Sequence, residues 1–385
     1  MADAALFTPF RLRELQLENR VVVAPMCMYA ANDGVASDWH LLHYGSLAVS
    51  GPGLVILEAT AVERIGRISN LCLGIYSDEC EKALKHLVDS CKSYGTAKIG
   101  IQLAHSGRKG SVPASWMPRR PLTKEEGAWQ PEGPSFIEDK VHSPPQVLDR
   151  AGIERVKAAW VRGTERAERA GFDLIEMHFS HGYLVNQFLS PLTNLRTDEY
   201  GGSRENRMRL ALEIFELCRA RWPTHKPLGA RVTAIDWVEG GWSMDDSVAF
   251  ARELKARGCD FICMSSGGVS DKQRITSGPG YQVPFAERVR AEAGVPTMAV
   301  GQIWEPKLAE EVIGQGKADL VALARKFLDD PRWTWHAAAE LGVHLDYPGR
   351  YHMCHPALGS ALRFPEEKSK ADRLAVLAGL SRRAS

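Results

Sequence analysis

Eight short apolar runs, each followed by a segment of helical periodicity, constrain this 385-residue chain more than any other feature. The runs are Val21–Ala24, Leu54–Glu58, Lys98–Leu103, Asp173–Met177, Leu228–Val232, Phe261–Ser265, Pro296–Val300 and Asp319–Ala322. Each is too short for a stable helix and apolar on both faces, as strands buried on two sides are. Between them, Cys80, Ala83, Leu84, Leu87, Val88 and Cys91 fall on one helical face. Val156, Ala159, Trp160, Gly163 and Ala167 mark a second such face, and Met208, Ala211, Leu212, Phe215 and Cys218 a third. Further helices are expected around 41–50, 244–257, 285–293, 305–315 and 329–341. This repeat predicts an α/β fold, a (β/α)8 TIM barrel. A doubly wound sheet uses the same alternation, but no Gly-x-Gly-x-x-Gly turn follows the first run. Polar residues also follow nearly every run instead of gathering at one switch point.

The reading places one barrel domain over 1–363 and a C-terminal tail over 364–385, a surface helix or loose end. The first twenty residues are expected to close the bottom of the barrel. A long stretch at about 106–150, between the third strand and its helix, is rich in Pro, Gly, Trp and charge. Irregular insertions of this length act as lids or rims. A formal net charge of +1 without a basic stripe argues against nucleic-acid binding. The cysteines at 27, 72, 80, 91, 218, 259, 263 and 354 form no Cys-x-x-Cys pair, so zinc-ribbon and iron–sulfur patterns are missing. Neither a secretion signal nor an apolar run of about 20 residues is present, which predicts a cytoplasmic protein with no membrane segment.

The C-terminal ends of barrel strands carry the chemistry of this fold. Pro25, Met26, Cys27, Met28 and Tyr29 follow the first strand, Ala59 and Thr60 the second, and Gln102 and His105 belong to the third. His178, His181 and Tyr183 crowd the end of the fourth. Arg231 ends the fifth, Ser265-Ser-Gly-Gly268 the sixth, Gly301-Gln302 follows the seventh and Arg325 the eighth. The last two strands commonly frame a phosphate: Gly301 permits close backbone approach and Arg325 offers a fixed charge. Gln102, a donor and an acceptor, suits the edge of a heterocycle. Arg231 would stabilise negative charge on the same ring, so FMN fits better than a sugar phosphate.

Longer stretches then carry a resemblance. Leu6-Phe-Thr-Pro-Phe10, Leu17-Glu-Asn-Arg-Val-Val-Val-Ala-Pro-Met-Cys27 and Ile101-Gln-Leu-Ala-His-Ser-Gly-Arg-Lys109 occur in order. They are followed by His178-Phe-Ser-His-Gly-Tyr183 and Asn194-Leu-Arg-Thr-Asp-Glu-Tyr-Gly-Gly-Ser-Arg-Glu-Asn-Arg207. Gly280-Tyr-Gln-Val-Pro-Phe285 and the Ala324-Arg325 turn complete the set. Over nearly its whole length the chain resembles the Old Yellow Enzyme family of FMN-dependent ene-reductases, in the branch of xenobiotic reductases and thermophilic-like members.

The resemblance implies non-covalent, tightly held FMN reduced by NADPH, or less well by NADH, and an α,β-unsaturated carbonyl substrate, with nitro compounds as a further class. It implies that His178 and His181 bind the carbonyl oxygen, hydride passes from flavin N5 to the β carbon, and Tyr183 protonates the α carbon. Gln102 and Arg231 would contact the flavin pyrimidine edge. Pro25, Met26, Cys27 and Ala59 would line the N5 side, with Cys27 tuning redox behaviour. Gly301, Ala324 and Arg325 would hold the phosphate end. Tyr29 would hold substrate, and Trp304 is expected to narrow the pocket. In some relatives a C-terminal arginine completes the neighbouring subunit's site; Tyr351-His-Met-Cys-His355 has no arginine there, so homo-oligomerisation stays open.

Other readings stand beside these. His178 and His181 with Glu176 could be metal ligands, but a third ligand on the right face is missing, and no metal is expected. Cys27 could be an inert thiol, Arg231 a structural ion pair, and Arg325 a surface charge. His105, His352, His355 and the Trp residues of the insertion are assigned no site role. Tyr200-Gly-Gly-Ser203 reads as a turn with Ser203 capping the next helix, shaping a loop without catalysing. A flavin barrel of dienoyl-CoA reductase type, or a flavin-free phosphate-binding lyase or ligand-binding barrel, are the competing functions.

Overall fold

The computed structural model describes residues 4–355; the tail expected over 364–385 lies outside the described residues. Eight parallel strands close into a barrel. They are β1 (Val21–Val23), β2 (Leu54–Ala61), β3 (Lys98–Ala104), β4 (Leu174–Phe179), β5 (Leu228–Thr233), β6 (Ile262–Ser265), β7 (Thr297–Ala299) and β8 (Leu320–Leu323). Each expected run holds a strand, and every strand pairs with its neighbours in the chain, with β8 pairing β1 to close the ring.

Two cores explain why the strands are apolar on both faces. Val22, Leu54, Ile56, Leu174, Phe261, Met298 and Leu320 fill the barrel interior together with Leu12 and Leu17. Val21, Val23, Val55, Leu57, Ile99 and Ile101 pack in the larger cluster with the helices. Leu12 and Leu17 belong to an N-terminal hairpin, Phe10–Leu12 against Leu15–Leu17. Arg13, at its tip, pairs with Asp260 two residues before β6. The hairpin thus plugs the end of the barrel opposite the catalytic face, as the sequence predicted.

The helices are α1 (Asp38–Ala48), α2 (Asp78–Tyr94), α3 (Arg150–Arg169), α4 (Leu184–Leu189), α5 (Arg204–Arg219), α6 (Met244–Ala256), α7 (Val283–Ala293), α8 (Pro306–Gly314), α9 (Arg325–Asp329) and α10 (Trp333–Glu340). The single helix expected at 329–341 is instead split. Pro331 lies between α9 and α10, and a proline disfavours the helical conformation of the residue before it. Ser203 caps α5 by accepting from the Asn206 N–H. Between β3 and α3 the insertion forms a 3-10 turn (Gly107–Lys109) and a short pairing of Glu132–Gly133 with Gln146–Val147. The described residues from His344 to His355 fall outside the first compact unit, which ends at Val343. They hold a 3-10 turn, Gly349–Cys354, and pack the His355 ring on those of His344 and Tyr347.

Candidate active site

Backbone strain marks one face of the barrel. Among the described residues seven non-glycine positions have positive φ, and all but Arg13 lie in loops that follow barrel strands: Tyr29, Asp33, Ser111, His181, Trp237 and Gln302. Such conformations persist where surrounding structure over-determines them, commonly at functional sites.

The centre of this face is the end of β4. His178 is in the strand, His181 follows in a tight turn, and Tyr183 is the N-cap of α4. Their rings are close: His178 lies 5.2 Å from His181 and 5.0 Å from Tyr183, centroid to centroid, both edge-on. The Ser180 backbone N–H donates to His178 Nδ1 at 3.3 Å, which makes Nδ1 an acceptor and leaves the proton on Nε2. That Nε2–H has no partner among the described residues. His181 differs: its Nε2 is 2.7 Å from Ser265 Oγ and its Nδ1 3.3 Å from Ser180 Oγ. Burial, reinforced by the Arg231 and Lys109 charges, pushes both imidazoles well below their ordinary pKa, so they act as neutral groups. Burial raises Tyr183 well above the ordinary phenol value, so it holds its proton.

Beneath this cluster lies a buried polar layer set by strand register. Gln102 faces Glu176 across β3 and β4, and His178 faces Arg231 across β4 and β5. Gln102 Nε2 donates to Glu176 Oε1 at 2.7 Å. Burial raises the Glu176 pKa, opposed by the Arg231 charge and the Gln102 hydrogen bond. The Arg231 Nε is buried without a hydrogen-bond partner, as is Glu176 Oε2. An orphaned guanidinium N–H inside a barrel calls for an acceptor from elsewhere, and the carbonyl and nitrogen edge of a heterocycle has the chemistry to supply one.

The β1 and β2 ends line the same mouth. A bulge at Glu58 shifts the β2–β3 register so that Ala59 faces Gln102. The Glu58 carboxylate is fully buried; it accepts from the Met28 N–H at 3.1 Å and from Tyr44 Oη at 3.2 Å, fixing the Pro25–Tyr29 segment. Pro25, Met26, Cys27 and Tyr29 are partly exposed on that segment. The neighbouring Cys72 thiol and burial hold the Cys27 pKa well up, so it is a thiol and not a thiolate. On the adjoining stretch of the rim, past the β8–β1 pairing, Gly301 takes φ +115°, and Ala324 precedes Arg325 at the start of α9. Arg325 is exposed and makes no hydrogen bond or ion pair among the described residues, leaving its charge free for an anion. Trp304 is 42 % exposed and makes no ring contact with the cluster among the described residues.

The insertion reaches the cluster. A cavity of about 290 Å³ is lined by Tyr29, Lys109, Ala114, Arg119, His142 and Tyr183, and Trp116 meets the Tyr29 ring edge-on at 5.4 Å. At its base, His105 Nε2 is 2.9 Å from Glu63 Oε1, and Arg155 joins Glu63 to Glu132. Glu63, His105 and Glu132 have metal-ligand spacing, but the Arg155 guanidinium already fills the role of the cation. The sequence reading missed Glu58, whose signal was an acid ending an apolar run, and Lys109, which lies at the insertion's first turn.

The comparisons agree with this geometry. A family profile described as "NADH:flavin oxidoreductase / NADH oxidase family" matches residues 5–343. An NADPH dehydrogenase of Geobacillus thermodenitrificans is 44% identical over 352 residues, covering 91% of this chain and 98% of that protein. One from Listeria welshimeri is 42% identical over 349 residues, covering 90% and 98%. The solved structure of morphinone reductase in complex with tetrahydroNAD superposes with a TM-score of 0.72 at 28% identity, over 89% of this chain and 92% of that one. A closed barrel with a buried, unpartnered arginine N–H, matched along nearly its whole length by the flavin oxidoreductase profile and by NADPH dehydrogenases, is that of an FMN-dependent, nicotinamide-using oxidoreductase, and the chain belongs to the NADH:flavin oxidoreductase / NADH oxidase family, the Old Yellow Enzymes.

Proposed function

We propose that this oxidoreductase is an ene-reductase acting on α,β-unsaturated carbonyl compounds. The observation that carries the reading is the unpartnered Nε2–H of a neutral His178 beside a protonated Tyr183, 5.0 Å ring to ring. FMN, when bound, would supply the hydride chemistry that links NADPH or NADH to the β carbon of the substrate. Gln102 and Arg231 would hold its pyrimidine edge, Pro25, Met26, Cys27 and Ala59 its other side, and Gly301, Ala324 and Arg325 its phosphate.

The protein's own part is polarisation and proton delivery. His178 donates to the carbonyl oxygen, drawing electron density from the alkene as oxyanion donors do. His181 is the second contact, its Nε2 shared with Ser265. Tyr183 then gives its proton to the α carbon: the C=C π bond breaks, two C–H bonds form, and the phenolate recovers a proton from water. Tyr29 and the insertion exclude solvent from the cavity above.

The test is anaerobic reaction of the purified, FMN-loaded protein with NADPH and then with cyclohex-2-enone. The expected product is cyclohexanone. Tyr183→Phe should slow the second step by about 10²–10⁴-fold, the contribution of a general acid. No ketone product, or an oxidative step as fast as wild type in Tyr183→Phe, would count against the assignment.

A further inference from the structure

Lys109 is a partly buried lysine at the cavity wall, with no carboxylate ion pair among the described residues. Its ammonium donates to two backbone carbonyls, His181 O at 2.8 Å and Gly268 O at 2.9 Å, and lies 4.9 Å over the centre of the Tyr183 ring. The site is built by glycines. Gly182 and Gly268 both have positive φ, and a Cβ on Gly182 would sit 2.1 Å from Gly268 O. The turn after β4 and the loop after β6 therefore touch backbone to backbone, and Lys109 caps both carbonyls at that contact. Gly107, at φ +58°, presses its own turn onto the Gln187 side chain and aims Lys109 inward.

We propose that Lys109 is a positioning residue that sets the acid strength of Tyr183, its ammonium stabilising the phenolate that forms as the proton leaves. The inference rests on the acid role given above to Tyr183. A cation over a desolvated aromatic face has the strength for this. The charge is also removable. Burial and the neighbouring Arg108 and Arg119 charges bring the Lys109 pKa down to about 7, with Asp139 opposing them. A neutral amine keeps two N–H groups, enough for both carbonyls, so deprotonation switches off the field on Tyr183 while the turn stays pinned.

The neighbouring imidazoles are shifted down, and the Tyr183 phenol up, away from the Lys109 range. His178 and His181, from the β4 end, are held neutral, and Tyr183 is held protonated. From the insertion, His142 is also lowered, and Asp139, paired with His142, is held down to about 2. Arg108 is paired with Asp139. Asp271 and Lys272 of the β6 loop are exposed at the outer rim.

The experiment is stopped-flow oxidation of the NADPH-reduced, FMN-loaded protein by cyclohex-2-enone between about pH 6 and pH 9. The wild-type rate is expected to fall about tenfold as pH rises through the Lys109 titration. Lys109→Arg, whose charge does not titrate, should hold the acid-side rate across the range, and Lys109→Met, which loses the charge and the two N–H contacts, should lose the inflection and run no faster than the alkaline-side rate. The same inflection in Lys109→Arg as in wild type overturns the inference, whether or not Lys109→Met folds. Tyr183→Phe separates the two levels. A Tyr183→Phe protein as fast as wild type overturns the acid role and this inference together. A slow Tyr183→Phe beside a Lys109→Arg that titrates like wild type overturns this inference alone.

Discussion

His178 faces Arg231 directly across adjacent parallel strands, and the guanidinium's charge, added to burial, keeps the imidazole neutral. The donor above is thereby an uncharged N–H, and the guanidinium that faces it has an unmet need for an acceptor. On the function proposed above, one cross-strand pair would set both the substrate donor and the cofactor contact.

Phenols mimic the charged oxygen that, on the proposed function, this donor would stabilise. Replacing both His178 and His181 by Ala is expected to abolish the long-wavelength charge-transfer band that phenols raise with flavin. His178→Ala alone should weaken phenol binding about 10–100-fold, the worth of a hydrogen bond to a charged group. Absorbance titration of the oxidised, FMN-loaded protein checks both; an undiminished band in the double variant would refute the assignment.

Arg231→Met removes the orphaned guanidinium and leaves Glu176, already raised by burial, without its opposing charge. FMN affinity is expected to fall at least tenfold, about 1.5–3 kcal/mol for a charge-assisted hydrogen bond. Flavin fluorescence on dilution reads the dissociation constant directly. An unchanged constant would assign Arg231 to structure alone.

Cys27 is a protonated thiol beside Cys72 on the segment held by Glu58, a poor nucleophile. Cys27→Ala should keep turnover well above the ~10²-fold loss that removal of an acid brings, while shifting the flavin midpoint potential in a dye-equilibration titration. Complete loss of turnover in folded, flavin-loaded protein would show that the thiol does more.

Gly182→Ala forces a Cβ against Gly268 O at φ +71°. The cost is expected at about 1–3 kcal/mol for the strained backbone, read as a lower Tm, with a displaced Tyr183. Wild-type stability would mean that the two loops separate freely.

Much of the barrel was legible because its strands are short apolar runs that cannot be helices, and its site because each strand end carried a polar residue. β2 ran past the expected Glu58 to Ala61 because a bulge at the acid interrupts the pattern without ending the strand. The split between α9 and α10 was written in Pro331 and overlooked under a continuous apolar face. Lys109 stayed hidden for a different reason. Its partners are main-chain carbonyls brought together by two glycines 86 positions apart (182 and 268), and backbone acceptors leave no mark on a sequence. His181 was read as a free donor; its bond to Ser265 depends on how β4 and β6 are spaced across the ring.

The insertion is bolted to the barrel at its root, where His105, Glu63, Arg155 and Glu132 form one ionic knot. Only beyond that knot do Ala114, Trp116, Arg119 and His142 reach the cavity and the Tyr29 ring. Such a layout separates two evolutionary tasks: the span beyond the knot can be rewritten to admit a new molecule while the electron-transfer floor below keeps its tuning. Grafting that span between relatives is therefore a route to new selectivity on an unaltered redox engine.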